Sequence, residues 1–433
     1  MKLTLNRPSG LIASTIKWEA GATRSRKKRD WLNRNVLGTG LVSLLSDASH
    51  EMVTVLLPIF ITIGTALGGL GANAAVLGTI EGLSDGLSSA TKPISGYLSD
   101  KTKRRKPWMV FGYVATAVLL PAIAFVHSVT ELAVLRMSAW AGRGLRGPPR
   151  DALLSDSVEP KHYGKAFGLH RAMDSMGAII GPVLVFLLLP VLGVRDTMLV
   201  AFIPGALSVL IVIFLIKEVR VRSAAVKALG FRTSIKSLPT RFRHLLAAQA
   251  AFGVGNFANA LFVLAALDIF TPSLGAVAAA SVAVGLYALL NIIYATISFP
   301  VGVLADKYSK PWLLGVGYLF NALACLILSF WTENLLLIGL AFVAVGLQLA
   351  FTDTTEGALA AELLPKDVTG TGYGALQFID GIGDLVSSTV VGILWVVFSP
   401  IVGLLYSAVL SVVAFALIMW LMRIPKSPRR HDC

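Results

Sequence analysis

Apolar runs of about 20 residues, each long enough to cross a bilayer as a helix, recur from Val36 to Met422. No other feature constrains the fold as tightly. In lipid every backbone N–H and C=O must be satisfied inside the protein, which leaves only helices and closed barrels. Runs of this length suit helices. The composition agrees, with 55% of residues hydrophobic and 14% charged, where an ordinary soluble protein carries roughly a quarter charged. The chain reads as an all-α, multi-pass membrane protein.

Twelve spans are expected, at 36–65, 72–98, 107–127, 131–157, 163–190, 196–217, 244–270, 275–304, 311–331, 335–362, 369–397 and 401–423. Basic residues punctuate them. Lys101 to Lys106, Lys161 and Lys165, Arg220 to Arg243, Lys307 and Lys310, Lys366, and finally Lys426, Arg429 and Arg430 follow even-numbered spans, whereas only Arg195 follows an odd-numbered one. That bias puts both termini in the cytoplasm. It also accounts for a net charge of +14 without any nucleic-acid partner.

The expected organisation is a basic cytoplasmic N-terminal segment (1–35), a six-helix bundle (36–217), a basic cytoplasmic linker (218–243), a second six-helix bundle (244–423) and a cytoplasmic tail (424–433). Residues 1–35 lack a cleavable signal, so the first span serves as its own insertion signal. The linker reads either as a regulatory, lipid-binding segment or as a solvated connection that helps set topology. Cys325 lies in an apolar run and Cys433 is the last residue, so no disulfide framework is readable.

The two bundles are copies. Gly96-Tyr-Leu-Ser-Asp100-Lys-Thr-Lys-Arg104-Arg105-Lys106 joins spans 2 and 3, and Gly302-Val-Leu-Ala-Asp306-Lys307-Tyr-Ser-Lys310 joins spans 8 and 9. Each leads into Lys-Pro-Trp. Span 5 echoes span 11 in the same way, with Gly168, Arg171, Asp174 and Gly177 spaced as Gly374, Gln377, Asp380 and Gly383.

Charge inside the spans is the functional signal, because such residues are expensive in a membrane and face a partner or a cavity. Asp47, His50 and Glu51 share one face of span 1. They read as a proton site, as part of a divalent-metal site completed from elsewhere, or as partners for an arginine of span 4. Glu81 and Asp85 are candidates on span 2, while Lys92 is near enough to the inner end to snorkel.

Arg136, Arg143 and Arg150 stripe span 4 with Arg146 beside them. Arginine keeps its charge in proteins, so this stripe needs intramembrane acids or an anionic substrate. Pro148-Pro149 is expected to kink the helix. Arg171 and Asp174 can pair with each other on span 5. Asp380 stands where Asp174 does but faces Gln377 instead of an arginine, and Asp384 is one turn further. Asp353 and Glu356 add charge to span 10, and Asn256, Asn259 and Asn291 are uncharged candidates.

Spans 3, 6, 9 and 12 carry no interior charge and belong at the lipid-facing periphery. This period matches transporters built from repeats around a midplane site. Gly78, Gly82 and Gly86 suit close helix packing. Phosphate-cradling and zinc-hydrolase motifs are absent from the sequence, so the chain is not read as an enzyme, and no cofactor is implied.

From Val36 to Arg423 the sequence resembles the major facilitator superfamily. Gly96 to Lys106 is similar to that family's signature loop between helices 2 and 3, with Lys103 where a glycine is usual. The resemblance implies a charge relay of Asp100 and Arg104 with Asp156 that locks one access state, with Gly96 and Asp306 in the same gating apparatus. Gly177-Ala-Ile-Ile-Gly181-Pro182 resembles the helix 5 motif of proton-coupled antiporters, and Arg136 resembles their buried helix 4 arginine. The run Gly142 to Asp151 resembles a bacterial branch of facilitators.

The expectation is a twelve-helix secondary transporter with the MFS fold in a bacterial inner membrane, not requiring oligomerisation. It would export a small organic molecule in exchange for protons. The alternatives are transport of a divalent metal (at Asp47, His50 and Glu51), a metal chelate or an organic anion, and, in another class, a non-transporting membrane sensor.

Overall fold

The computed structural model describes residues 31–62, 70, 74–219 and 231–422. Most of the expected N-terminal segment, residues 220–230 of the linker and the tail lie outside the described residues.

The described chain is helical: α1 (Arg34–Thr62), α2 (Ala74–Thr102), α3 (Lys106–Ala122), α4 (Val129–Asp156), α5 (Tyr163–Val200), α6 (Phe202–Phe214), α7 (Phe231–Lys236), α8 (Thr240–Gly253), α9 (Asn259–Leu274), α10 (Ala276–Lys307), α11 (Lys310–Ser329), α12 (Leu335–Leu363), α13 (Thr369–Val397) and α14 (Pro400–Met422). Eight stretches are long and apolar enough to cross a membrane, and one of them runs through α5 and α6. Within α5, Gly193 has a φ of 75°, a non-helical angle at which two helical stretches meet across a kink.

Three expected spans fall short for visible reasons. The helices α2 and α4 carry the interior charges. Span 7 is divided between α8 and α9 at residues 254–258, a break that hydropathy alone does not reveal. The short α7 lies in the linker. The helix α4 continues through Pro148-Pro149 without interruption.

Two pseudo-symmetric bundles result. In the first, α1 packs on α5 and α6, α2 on α4, and α3 on α4 and α6; in the second, α10 packs on α12, α11 on α12 and α14, and α8 on α13 and α14. The greasy helices α3, α6, α11 and α14 turn exposed side chains such as Phe111, Phe214, Leu323 and Val409 outward, and none of them lines the central cavity. The bundles meet chiefly through α2 against α13 and α5 against α10.

Both seams close on glycine pairs. A Cβ on Gly96 would collide with the carbonyl oxygen of Gly370, and one on Gly302 with that of Gly164. The glycines expected to serve packing on α2 do something else: a Cβ on Gly82 or Gly86 would meet nothing within 4 Å. Both face the cavity, so the small residues there make room rather than contact.

Candidate functional site: a charged cavity closed at one end

A cavity of about 990 Å³ lies between the bundles, walled by α1, α2, α4, α5, α8, α12 and α13. Along α2, Ser95, Gly96 and Ser99 are buried while Gly82, Asp85 and Gly86 are exposed; along α13, residues 369–374 are buried while Asp384 and Leu385 are exposed. The cavity therefore opens away from the basic loops and is shut beneath them.

In the first bundle, acids and bases match. Glu81 accepts from Arg136 Nε at 2.9 Å and Nη2 at 2.8 Å. Arg150 donates to Asp151 at 2.9 Å, Arg171 lies 3.6 Å from Asp174, and Arg146 lies 4.0 Å from Asp47. Glu51 and Asp85 remain to balance Arg143 and Lys92. Arg136 is fully buried, also reaches Thr54, and stacks 3.4 Å above the Trp140 ring. Trp140 Nε1 donates to Asp85 at 2.7 Å. Ser43 donates to Asp174 at 2.7 Å, and Gln377 reaches across from α13 to donate to Asp151 at 2.7 Å.

His50 does not sit as a metal ligand would. Arg143 Nη1 is 3.0 Å from its Nε2, so a guanidinium occupies one ring nitrogen, and Trp140 lies edge-on to the ring at 5.0 Å. Its Nδ1 is buried without a hydrogen-bond partner, between Asp47 at 3.8 Å and Glu51 at 3.7 Å. Among the described residues no three His, Cys, Asp or Glu side chains converge as a metal-holding group.

The second bundle presents Asp353, Glu356, Asp380 and Asp384 to the cavity and, among the described residues, no lysine or arginine of its own. Tyr294 donates a very short hydrogen bond to Asp353. Glu356 and Asp380 face each other as a carboxyl pair. Asn256 lines the cavity at the α8–α9 break, where its carbonyl accepts from Ser387 at 2.8 Å.

The closed end is built from the two repeated turns. Asp100 accepts from Gly370 N at 3.0 Å, Thr371 N at 2.6 Å and Thr371 Oγ1 at 2.7 Å, in the first turn of α13. Asp306 accepts from Gly164 N at 2.7 Å and Lys165 N at 3.2 Å, in the first turn of α5. Free first-turn amides and the helix dipole both favour a carboxylate there.

The arginine of this cluster is Arg105, not the expected Arg104. Arg105 is buried and bridges Asp100, at very short range, and Asp156 at 3.7 Å, whereas Arg104 is exposed. Lys103 has a φ of 52°, and this left-handed residue ends α2 with a turn that directs the second arginine inward. Lys366 adds a bridge to Asp156 at 2.9 Å from the other bundle. Gly181 lets α5 approach α1, since a Cβ there would lie 2.7 Å from that of Glu51, and Pro182 sits within an uninterrupted stretch of α5.

Sequence reading missed Trp140, Arg105, Lys366 and Gln377 as site residues and gave Glu356 no role. Glu356 did carry a signal, its intramembrane charge. The others acquire their roles only from what stands opposite.

Two bundles around a charged cavity, sealed at one end by helix-capping aspartates, define a membrane transporter. The family model for the Major Facilitator Superfamily matches residues 39–293 and 245–432, and the chain belongs to that family. It is 31% identical over 392 residues to an uncharacterised MFS-type transporter of Methanocaldococcus jannaschii, covering 90% of this chain and 95% of the relative. It is 24% identical to a multi-drug resistance efflux pump PmrA homolog of Lactococcus lactis, covering 84% and 89%. Among solved structures, the Major Facilitator Superfamily transporter FucP in the outward conformation matches with a TM-score of 0.70 at 17% identity, over 92% of this chain and all of that one.

Proposed function

We propose that the protein is a proton-coupled exporter of a small organic molecule, working by alternating access in a bacterial inner membrane with both termini cytoplasmic. One observation carries this reading. The second bundle lines the cavity with a buried Glu356, half-buried Asp353 and Asp380 and an exposed Asp384, without, among the described residues, a lysine or arginine of its own, and a carboxylate buried without compensation must be neutralised by a proton or a ligand. In this scheme Asp380, with Glu356, takes up protons on one side and releases them when cargo enters. Asp47 and Glu51, on either side of His50, form a second exchangeable group. Arg136 fixes the position of Glu81, while Gly96, Asp100, Arg105, Asp156 and Asp306 hold the cytoplasmic end shut. The Lactococcus lactis relative's name as an efflux pump homolog supports the direction. The metal alternative loses support because a guanidinium faces His50.

The test uses vesicles of the purified protein holding a trapped pH dye, exposed in turn to organic cations and organic anions. Compound-driven proton movement that is lost in Asp380→Asn is expected. Transport that proceeds with no proton movement at any pH would overturn the coupling.

A further inference from the structure

The two walls of the cavity differ electrically. Around the first bundle each acid has a base to balance it. The second bundle offers Asp353, Glu356, Asp380 and Asp384, and the cations that face them reach over from the first bundle. Lys92 of α2 stands among Asp380, Asp384 and Asp85, with its ammonium also donating to Gln377 O at 3.3 Å. Arg171 of α5 faces Asp353 and Tyr294.

Two further details mark where added positive charge would be taken up. Glu356 is only 7% exposed, yet its Oε1 has no hydrogen-bond partner. Asp380 Oδ1, beside it, is also unpartnered. The surroundings are otherwise orderly: Tyr318 donates to Gln249 Oε1 at 2.8 Å, which turns the Gln249 amide nitrogen toward Asp380.

We infer that this wall is the binding site for an organic cation bearing a protonated or quaternary nitrogen, and that Lys92 is its tethered stand-in. The inference deepens the exporter reading above and rests on it for the direction of transport alone. The two cations that reach these four carboxylates are already matched by acids of the first bundle, which leaves room for added positive charge, whereas an anion entering here would be repelled. The Lys92 ammonium sits in the field of Asp380 and Asp384 without a direct ion pair to either. A cargo cation competes with it for that negative field and displaces any proton held by the Glu356–Asp380 pair. A cavity of about 990 Å³ is of drug-binding size. The exposed Gly82 and Gly86 on the approach to Asp85 keep the entrance wide.

The decisive arrangement is that Lys92 belongs to one bundle and its carboxylates to the other. If Lys92 is a structural tie, removing it weakens the site. If it is a competitor, removing it strengthens binding.

The test is equilibrium binding of tetraphenylphosphonium to the purified full-length protein in detergent, with no gradient, and benzoate as the parallel anionic probe. The expected result is saturable tetraphenylphosphonium binding, weakened at least tenfold in E356Q and tightened severalfold in K92M. Loss of binding in K92M, or benzoate binding without tetraphenylphosphonium binding, would overturn the inference. Because E356Q can perturb folding, its melting curve is measured alongside, and the K92M arm decides by itself. Failure of the exporter reading looks different: tetraphenylphosphonium binds and K92M tightens it, but vesicles show no proton movement.

Discussion

Asp100 and Asp306, the aspartates of the two repeated turns, each cap the first turn of a helix in the opposite bundle: Asp100 on Gly370 and Thr371, Asp306 on Gly164 and Lys165. The internal repeat is thus a pair of reciprocal latches. Each sits where bundles separate when the cavity opens to the other side. A charged cap of this kind is worth about 1–2 kcal/mol.

Asp100→Asn keeps an acceptor oxygen but loses the charge. It should shift the population toward the state open on the basic-loop side by roughly fivefold to thirtyfold. Thiol labelling of a cysteine placed at Ser99, which is fully buried and abuts Gly370 across the seam, reads this as faster modification. Unchanged labelling would show that the cap does not hold the seam.

Arg105 and Arg104 should behave oppositely despite being neighbours. Arg105 is 3% exposed and touches Asp100 and Asp156, so Arg105→Ala strips Asp100 of its counter-charge, leaves Asp156 to Lys366 alone and should abolish most transport. Arg104→Ala alters an exposed side chain and should stay within about 0.5 kcal/mol of the parent in stability. Transport rates and melting temperatures of the two variants, measured together, check the assignment.

The architecture was legible because lipid forces it. Hydropathy located the spans, charge-free helices marked the periphery, and the doubled Gly-x-x-x-Asp turn announced the two bundles. The break in span 7 was not legible, since Gly253 and Gly255 sit in a run whose hydropathy continues across them. The site was half legible. Intramembrane charge named Asp47, Glu81, Arg136, Asp174 and Asp380, but charge says nothing of pairing. Trp140 shows why: its role comes from Asp85, Arg136 and His50 standing around it, and none of them adjoins it in sequence. The choice between Arg104 and Arg105 turned on one backbone angle at Lys103, which a lysine gives no reason to expect.

The Glu81–Arg136 pair should be structural as well as functional. Arg136 is fully buried, while the Glu81 side chain is 30% exposed. Removing one partner of a buried pair costs about 3–5 kcal/mol, and the partial exposure of Glu81 puts Glu81→Gln at about 3. The double variant Glu81→Gln/Arg136→Met should recover part of that loss, because it leaves no uncompensated guanidinium. Thermal unfolding in detergent measures all three variants. A double variant no more stable than Arg136→Met alone would mean that the two side chains act independently.

Two glycine substitutions on α2 should separate packing from cargo space. Gly96 abuts Gly370 across the seam, so Gly96→Val cannot close without moving backbone. The protein should fold, remain open toward the basic loops and fail to transport. Gly86 faces the cavity with nothing within 4 Å of an added Cβ, so Gly86→Leu should leave the melting temperature within a few degrees of the parent. It should instead raise the KM for large organic substrates more than for small ones, because the leucine fills cargo space beside Asp85. Equal losses for large and small substrates in Gly86→Leu would place the cargo path elsewhere.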